Sequence, residues 1–487
     1  MSETKDVVIV GGGPTGLWLS CELANAGIPV TVLERRTERT NQSRALTLHG
    51  RTLEVFALRG FADRIMQHGV PIPTGHYATL DSRLNFGFID TRFPFTLFIP
   101  QEKTEELLEE YAISLGVDVR RDYNVTQVLA VDGGAEVRGT SPSGDFALAA
   151  RYLVGTDGAR SIVRDAAEIE FPGYEGDSTF ILGDVVLGAP LPAPVISMVN
   201  PNGCMMIAPL GDGKHHRIVL LDPDNRGVSK TSELTLDELA TSAAKIAGAD
   251  FAPSAPIWLS RFNNETRLAT AYRSGPYFLA GDAAHIHMPA GGQGMNVGIQ
   301  DAMNLGWKLA AVIKGEAPTE LLDSYQAERR PVGQQLHDNT LAQTSLMTAF
   351  DPAGQALRKT MNRIVAMPEV NQQLALELSA FGVRYPTPLL GGEAGDSDEP
   401  IVGGRIGDCA LRNEDGSETT LYALLGNGRW LHLQLSGDAT APLPDWLPRE
   451  SVTFAKATQG DKDSTALAGI AAIVIRPDGH VASAIAG

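Results

Sequence analysis

The chain has little cysteine, few aromatic residues, a shortage of positive charge and no long hydrophobic run. Its three cysteines, Cys21, Cys204 and Cys409, lie far apart, with no CxxC pair and no metal-ligand spacing. That excludes a disulfide framework, a dithiol centre and a zinc module, and leaves the thiols as core residues of a cytoplasmic protein. Lysine and arginine total 40 against 58 aspartates and glutamates, a formal charge of −18. Such a surface repels phosphate backbones and anionic bilayers, so neither nucleic acid nor membrane is expected as a partner. No run reaches the roughly 18 uncharged apolar residues of a spanning helix. Met1–Asp6 leads straight into an apolar strand pattern, which leaves no room for a signal peptide. At 487 residues the chain exceeds one ordinary core, and two or three domains are expected.

What the sequence does have is a strand, a glycine turn, a helix and a second strand between Asp6 and Glu34. Val7-Val8-Ile9-Val10 is a β-branched run suited to a parallel strand buried on both faces. Gly11-Gly12-Gly13-Pro14-Thr15-Gly16 follows, then a helical stretch to about Ala26, then Val30–Glu34. Gly11 permits the tight turn, Gly13 lets the backbone approach a pyrophosphate, and Gly16 lets the helix pack close to the sheet. Pro14 suits the first helical position, where no N–H is needed. A phosphate there meets free amides at the positive end of the helix dipole. Glu34, at the end of the second strand, can accept from both ribose hydroxyls and repels a 2′-phosphate, which points to FAD or NAD rather than NADP.

Two more apolar strands end in Gly-Asp turns: Tyr152–Val154 runs into Gly155-Thr156-Asp157-Gly158, and Tyr277–Ala280 into Gly281-Asp282. After the second come His285, His287, Met288 and the stretch Pro289-Ala290-Gly291-Gly292-Gln293-Gly294-Met295-Asn296, which opens a helix to about Lys314. Between the landmarks, Leu53, Phe56, Ala57 and Gly60 suggest one helix face, preceded by Arg44 and Arg51, which either are solvated or face an anion. The stretch from Gly75 to Pro100 concentrates five phenylalanines, Phe86, Phe88, Phe93, Phe95 and Phe98, in short alternating strands. Gln101 precedes a helix at Lys103–Leu115, and Val117–Leu153 reads as a meander. From Gly173 to Arg273 the pattern is strands, including Phe180–Leu187, Arg217–Leu221, Ile257–Phe262 and Leu268–Ala271, in one antiparallel sheet interrupted by a helix at Leu236–Ala247. A Gly/Glu/Asp-rich linker at Gly391–Pro400 precedes a further strand-rich unit.

The three landmarks, in this order and over nearly the whole chain, resemble the single-component flavoprotein aromatic hydroxylases, the class A FAD monooxygenases. Within that family the chain is similar to the hydroxylases that tailor aromatic polyketides in actinomycetes, with their C-terminal thioredoxin-like extension. The resemblance implies an α/β protein. A Rossmann-like FAD-binding domain in two parts, 1–172 and 274–395, carries an inserted antiparallel-sheet substrate domain at 173–273, to which 75–100 contributes. A thioredoxin-like domain without CxxC occupies 396–487.

By the same resemblance Gly11, Gly13, Pro14, Thr15, Gly16, Glu34 and Arg35 would bind the ADP half of a non-covalent FAD. Arg44 and Gln101 match positions that contact the flavin or its diphosphate, and Asp157 and Gly158 match a motif implicated in FAD and NAD(P)H binding. Gly281 and Asp282 would hold the ribitol and diphosphate, while Pro289, Gly292, Gly294, Met295 and Asn296 would line the isoalloxazine edge. Arg44, Pro289 and Gly292 would stand nearest the chemistry. Tyr325, Glu328-Arg329-Arg330-Pro331 and Gly403–Asp408 are similar to further family features.

The implied reaction takes hydride from NADPH or NADH, a transient visitor, then delivers oxygen from O2 to a bulky phenol through a flavin C4a-hydroperoxide, in a monomer or homodimer. The glycine turn at 291–296 and the helix behind it suit the negative charge of reduced flavin, and the phenylalanine-rich strands are expected to help exclude water. His285 and His287 are either bases or structural residues. Flavin-dependent halogenation is excluded, because no two of Trp18, Trp258, Trp307, Trp430 and Trp446 form a Trp-x-Trp motif. Baeyer–Villiger or antibiotic-inactivating oxygenation, and a non-catalytic flavin-bearing protein, remain as alternatives.

Overall fold

The computed structural model describes residues 4–40, 43–193, 195–386, 400–460 and 465–487. At its centre is β1 (Lys5–Val10), flanked in parallel by β2 (Val30–Glu34) and by the end of the long strand Gly144–Gly155. Tyr277–Leu279 and Asp118–Arg121 extend the parallel sheet on either side. Val7, Val8, Ile9 and Val32 are fully buried, as a sheet covered on both faces requires. The helix α1 (Pro14–Asn25) packs against Gln101–Ser114 and against Gly294–Ile313. Asp118–Arg121 is therefore no part of the expected meander. The helix before it returns the chain in the direction that a parallel strand needs, and only Asn124–Val131, Gly134–Ser141 and Gly144–Gly155 form the antiparallel ribbon.

The inserted sheet has five antiparallel strands in the order Ile196–Asn200, Gly203–Pro209, His215–Leu221, Thr179–Val186, Ser254–Asn263. Thr266–Leu268 does not join it, contrary to expectation; it pairs with Gly173–Tyr174 and His285–Ile286 and so leads the chain back to the nucleotide domain. Strand alternation gives the sheet two unlike faces. One, with Ile181, Val185, Ile207 and Ile218, is closed by Leu239, Ala243 and Ile246 of the helix Leu236–Ala247. The other presents Phe180, Cys204, Leu221, Val219 and Phe262 toward Met288, Ala290, Leu346 and Met347.

The phenylalanines of 86–98 do not build that wall. Phe86 packs with Val365 and Leu378, and Phe93 belongs to the main core; Tyr77 and Ala78 reach the wall instead. The reason is local: this stretch is mostly loop, with three-residue strands at Thr74–His76, Arg83–Asn85 and Thr96–Phe98. Gly60 likewise lies beyond its helix, which ends at Ala57, and takes φ +68 in the following turn.

The C-terminal sheet is mixed. Trp430–Gln434 runs parallel to Val452–Gln459 and antiparallel to Ile470–Ile475, with Ala410–Asn413 and Val481–Ala486 outside them. Its hydrophobic core is continuous with that of the nucleotide domain, and Trp307 meets Trp430 edge-on at 5.6 Å. The hairpin Arg476–His480 enters the nucleotide domain as a buried charge cluster. Arg476 donates twice to Glu328, each at 2.8 Å, and Lys308 Nζ lies 2.8 Å from the same carboxylate. Arg51 is part of this seam. Only 2% exposed, it pairs with Glu54 and donates to the Asp478 carbonyl at 2.9 Å, so it is neither solvated nor facing an anion in the groove. Residues 391–399 of the expected linker, with the boundary at 395/396, lie outside the described residues. Among the described residues no helix is long and apolar enough to cross a membrane.

Candidate active site

Three strand-end turns converge on one groove. Gly11, at φ +110, packs so closely on the next turn that a methyl there would stand 2.4 Å from the Thr156 carbonyl oxygen. A methyl on Gly281 would stand 2.7 Å from Thr15 Oγ1, and one on Gly298 would be 2.4 Å from the same oxygen. Thr15 thus joins the first glycine turn to the Gly-Asp turn and to the helix Gly294–Ile313. Gly16 is similarly tight, its Cβ position 2.1 Å from the Gly11 carbonyl oxygen. The first intrahelical bond of α1 runs from Leu17 N–H to Gly13 at 2.9 Å, so the amides of Thr15 and Gly16 stand ahead of it at the positive helix end. Gly13 has no heavy atom within 4 Å of its Cβ position, which leaves its approach open for a ligand.

The acidic residues have distinct places. Glu34 is 8% exposed and folds back on the turn, accepting from Gly12 N–H and Arg36 N–H, each at 2.9 Å. Arg35 beside it is exposed. Asp157 accepts from Ile162 N–H at 2.8 Å through Oδ2, while its buried Oδ1 has no hydrogen-bond partner among the described residues; Gly158 follows at φ +83. Asp282 is open to solvent although it stands deep in the molecule, which is the signature of a groove. Desolvation raises its pKa, against the charges of His285 and Arg44. These features fit a dinucleotide: helix-end amides for the diphosphate, carboxylates for hydroxyls, and an unpartnered carboxylate oxygen for one more donor. No group of three or more histidines, cysteines or acidic residues that could hold a metal ion occurs among the described residues.

The turn at 289–296 is built against a segment that sequence reasoning did not single out. Gly291 and Gly292 adopt φ +72 and +66, where a side chain would be strained, and a methyl on Gly292 would collide with Thr47 Oγ1 at 2.1 Å. Thr47 Oγ1 donates to the Gly292 carbonyl at 3.2 Å. His49 Nε2 lies 2.8 Å from the Gly291 carbonyl, and its Nδ1 lies 3.0 Å from Thr96 Oγ1. Burial pushes His49 down to about 4, so the ring is neutral, donates from Nε2 and accepts at Nδ1. Asn296 does not face the groove. It is 1% exposed, accepts from His49 N–H at 2.7 Å and donates to the carbonyls of Thr47 and Gly292, so its side chain holds the turn. Gln101 is used similarly, accepting from Ala45 N–H at 3.0 Å and donating to Glu105 at 2.7 Å. Arg44 and Pro289 are exposed, and Gly294 and Met295 begin the helix that follows the turn.

A second layer supports the Gly-Asp turn. Asp301, fully buried, accepts from Gly281 N–H at 3.2 Å, from His285 Nε2 at 2.8 Å and from Arg329 Nε at 2.7 Å. Burial opposes its charge, yet Arg329 and His285 hold its carboxyl below the ordinary value. His285 is thus committed to a structural bond. Arg329 also donates to Tyr385 Oη at 3.1 Å, and the Tyr385 ring lies 4.2 Å from that of His480, which connects the turn to the C-terminal hairpin. An open cleft of about 500 Å³ at Arg273, Gly275 and Asp323 lies instead at the start of the strand Tyr277–Leu279, the end opposite the Gly-Asp turn.

Residues 4–340 match the model of the FAD binding domain family, and residues 399–487 match the aromatic-ring hydroxylase C-terminal family. An uncharacterized aromatic compound monooxygenase, YhjG of Bacillus subtilis (strain 168), is 44% identical over 100% of this chain and 95% of its own length. A rifampicin monooxygenase of Streptomyces venezuelae is 38% identical over 98% of this chain and 94% of its own. The solved structure of OxyS anhydrotetracycline hydroxylase from Streptomyces rimosus superposes with a TM-score of 0.88 at 37% identity, covering 99% of this chain and 96% of that one. With both family models matched and the groove built from their three turns, the chain belongs to the FAD-dependent aromatic-ring monooxygenases and is a flavin-dependent monooxygenase that takes its electrons from NAD(P)H.

Proposed function

We propose that this monooxygenase hydroxylates a bulky polycyclic phenol of polyketide type. The observation that carries this is the wall described above: Phe180, Val219, Leu221 and Phe262 on the sheet oppose Met288 and Ala290 beside the flavin turn. Phe180 and Phe262 stack with centroids 5.6 Å apart and planes at 17°, a flat apolar surface suited to a fused ring system. Similarity to an anhydrotetracycline hydroxylase supports the same substrate class.

Bound FAD supplies electron acceptance from NAD(P)H and activation of O2. The chain's own residues bind and orient it. Gly11, Gly13, Pro14, Thr15 and Gly16 present the helix end to the diphosphate; Glu34 and Arg35 flank the adenosine ribose; Asp157, Gly158, Gly281 and Asp282 hold the middle of the cofactor. Pro289, Gly292, Gly294, Met295 and Asn296 shape the ring edge, directly or, for Asn296, by fixing the turn. Arg44, with Gln101 holding its segment, bears on the flavin. In this division of labour 1–172 and 274–395 bind FAD, 173–273 binds substrate with help from 75–100, and 396–487 stabilises the whole in a cytoplasmic monomer or homodimer.

The test is incubation with anhydrotetracycline and related polycyclic phenols, with NADPH or NADH, followed by product mass analysis. One added oxygen per NAD(P)H consumed is the expected result; no product with any phenol overturns the proposal. The rifampicin monooxygenase similarity favours a second reading, oxygenation that inactivates an antibiotic, and rifampicin in the same panel distinguishes it. Steady substrate-stimulated NAD(P)H consumption excludes a flavin protein without redox turnover, and ring-expanded products would indicate Baeyer–Villiger chemistry.

A further inference from the structure

The Gly281 turn and the hairpin Arg476–His480 fall in separately matched domains, yet four contacts join them in series. Gly281 N–H donates to Asp301, Asp301 accepts from Arg329 Nε, Arg329 Nη1 donates to Tyr385 Oη at 3.1 Å, and the Tyr385 ring lies 4.2 Å from that of His480. Arg329, 0% exposed, is the hub. Its remaining nitrogen, Nη2, donates at 3.1 Å to the Val297 carbonyl in the first turn of Gly294–Ile313. One guanidinium thus holds the Gly-Asp turn through Asp301, the helix after the glycine turn through Val297, and Tyr385. A planar fork engaged at all three nitrogens is fixed in orientation, and a buried cation that loses an acceptor is costly.

Tyr385 itself is held from the C-terminal side. Its N–H donates to the Gly403 carbonyl, Gly403 N–H to the Val481 carbonyl and Val481 N–H to the Gly404 carbonyl, each at 2.9 Å. The Arg476 guanidinium carbon lies 5.0 Å from the centre of the Tyr385 ring and 5.2 Å from that of Trp307, within cation–π reach of both. Burial raises the Tyr385 phenol above its ordinary value, so Oη keeps its proton and accepts from Arg329 through a lone pair. Glu328 and Arg329 are neighbours on the helix Asp323–Met347 and face different partners: Glu328 receives the Arg476 fork, while Arg329 supports the Gly-Asp turn. Sealing the seam needs only the Glu328 fork. The Tyr385 hydroxyl on Arg329 links the hairpin, in addition, to the backbone beside the groove.

We propose that Tyr385 is a positioning residue for FAD, and that through it docking of the hairpin Arg476–His480 is coupled to occupation of the groove. The docked hairpin fixes Arg329, and Arg329 fixes the Gly281 turn in the form that receives the cofactor. Coupling between two sites is reciprocal, so FAD in the groove also holds the hairpin more firmly. The C-terminal domain thereby takes part in cofactor binding although it supplies none of the turns. The inference rests on the assignment of Gly281 and Asp282 to the cofactor, and holds whichever aromatic compound is the substrate.

The test is Tyr385→Phe, which removes the hydroxyl and keeps a ring against His480 and Arg476. Titration of its apoprotein with FAD is expected to show about tenfold weaker binding than the parent, because a buried charged donor has lost its acceptor. Amide hydrogen exchange with and without FAD supplies the reciprocal reading. In the parent, FAD is expected to slow exchange in peptides covering 476–481 by about fivefold, and in Tyr385→Phe that slowing is expected to disappear. The strand Val452–Gln459, separated from Ile470–Ile475 by Trp430–Gln434, is expected to exchange alike with and without FAD. Parent-like FAD affinity in Tyr385→Phe overturns the proposal, even if the variant unfolds at lower urea, since Tyr385 is then packing alone. Exchange at 476–481 that ignores FAD in the parent, or responds to it as fully in the variant, overturns it too. Asp282→Ala separates this outcome from failure of the site: FAD affinity lost there but kept in Tyr385→Phe removes the coupling and leaves the site, whereas affinity kept in Asp282→Ala removes both. Should Tyr385→Phe not fold, the response of 476–481 to FAD in the parent decides.

Discussion

His49 Nε2 stands 2.8 Å from the carbonyl oxygen of Gly291, so a neutral imidazole buttresses the glycine turn at 289–296. Burial sets its value at about 4, below the ordinary 6.5. As pH falls through 6.5 the unfolded chain takes up the proton before the folded one does. The contribution of this ring is thus complete above pH 6.5 and is lost progressively toward about 4. His49→Gln keeps a donor for Gly291 and removes the titration. Urea midpoints measured from about pH 7 down to about pH 5 are expected to fall less steeply for the variant than for the parent.

Glu328→Gln leaves Arg476 and Lys308 in the interior without their carboxylate. Burial works against the Glu328 charge, but Arg476 and Lys308 outweigh it and hold the group down at about 2. Removing one partner of such a cluster costs on the order of 3–5 kcal/mol. Equilibrium unfolding in guanidinium measures the loss, and a variant as stable as the parent would show that the seam is energetically idle.

Asp282→Ala removes the groove's deep carboxylate. FAD binding is expected to weaken by on the order of 1.5–3 kcal/mol, leaving a purified protein that sheds its yellow colour on gel filtration. Titration of apoprotein with FAD gives the affinity directly.

Arg44→Ala is expected to slow flavin reduction or to divert more reducing equivalents to hydrogen peroxide, with FAD still bound. Parallel stopped-flow and peroxide measurements check it. A variant that reduces and couples like the parent makes Arg44 an ordinary surface arginine.

Phe262→Ala removes one plate of the stacked pair on the substrate wall. With anhydrotetracycline as probe, a roughly tenfold rise in KM is expected from the lost apolar contact, with reduction by NADPH alone unaffected. Cys409→Ser, just before the strand Ala410–Asn413 of the C-terminal sheet, serves as the control and is expected to leave turnover as in the parent.

The three turns were legible in the sequence because each depends on residues with no substitute: glycine where φ is positive or backbones touch, and Pro14 where an N–H is absent. The helix Leu236–Ala247 was legible for similar reasons, with Thr235 accepting at its start and Gly248 at φ +69 closing it. Thr47, His49 and Asp301 were not. The Thr47 hydroxyl meets its partner 245 residues on and the His49 ring 242, while Asp301 gathers Gly281, His285 and Arg329 from 20, 16 and 28 residues away, and no local period or spacing encodes such meetings. Arg51 misled for the same reason, since its acceptor, the Asp478 carbonyl, is 427 residues distant. The phenylalanines of 86–98 misled differently: their composition suggested strands, but loop geometry sends Phe86 and Phe93 into separate cores.

The seam at Arg476 also dictates an order of events during synthesis. Glu328 leaves the ribosome 148 residues before Arg476 does, and until then Lys308 is its one cationic partner among the described residues. Arg329, the neighbour of Glu328, donates to Tyr385, whose ring packs on His480, so the hairpin also adds a support behind the Gly281 turn. A chain cut short before the hairpin keeps the Lys308–Glu328 pair but loses Arg476 and Asp478, and is expected to be cleaved faster in limited proteolysis than the full chain.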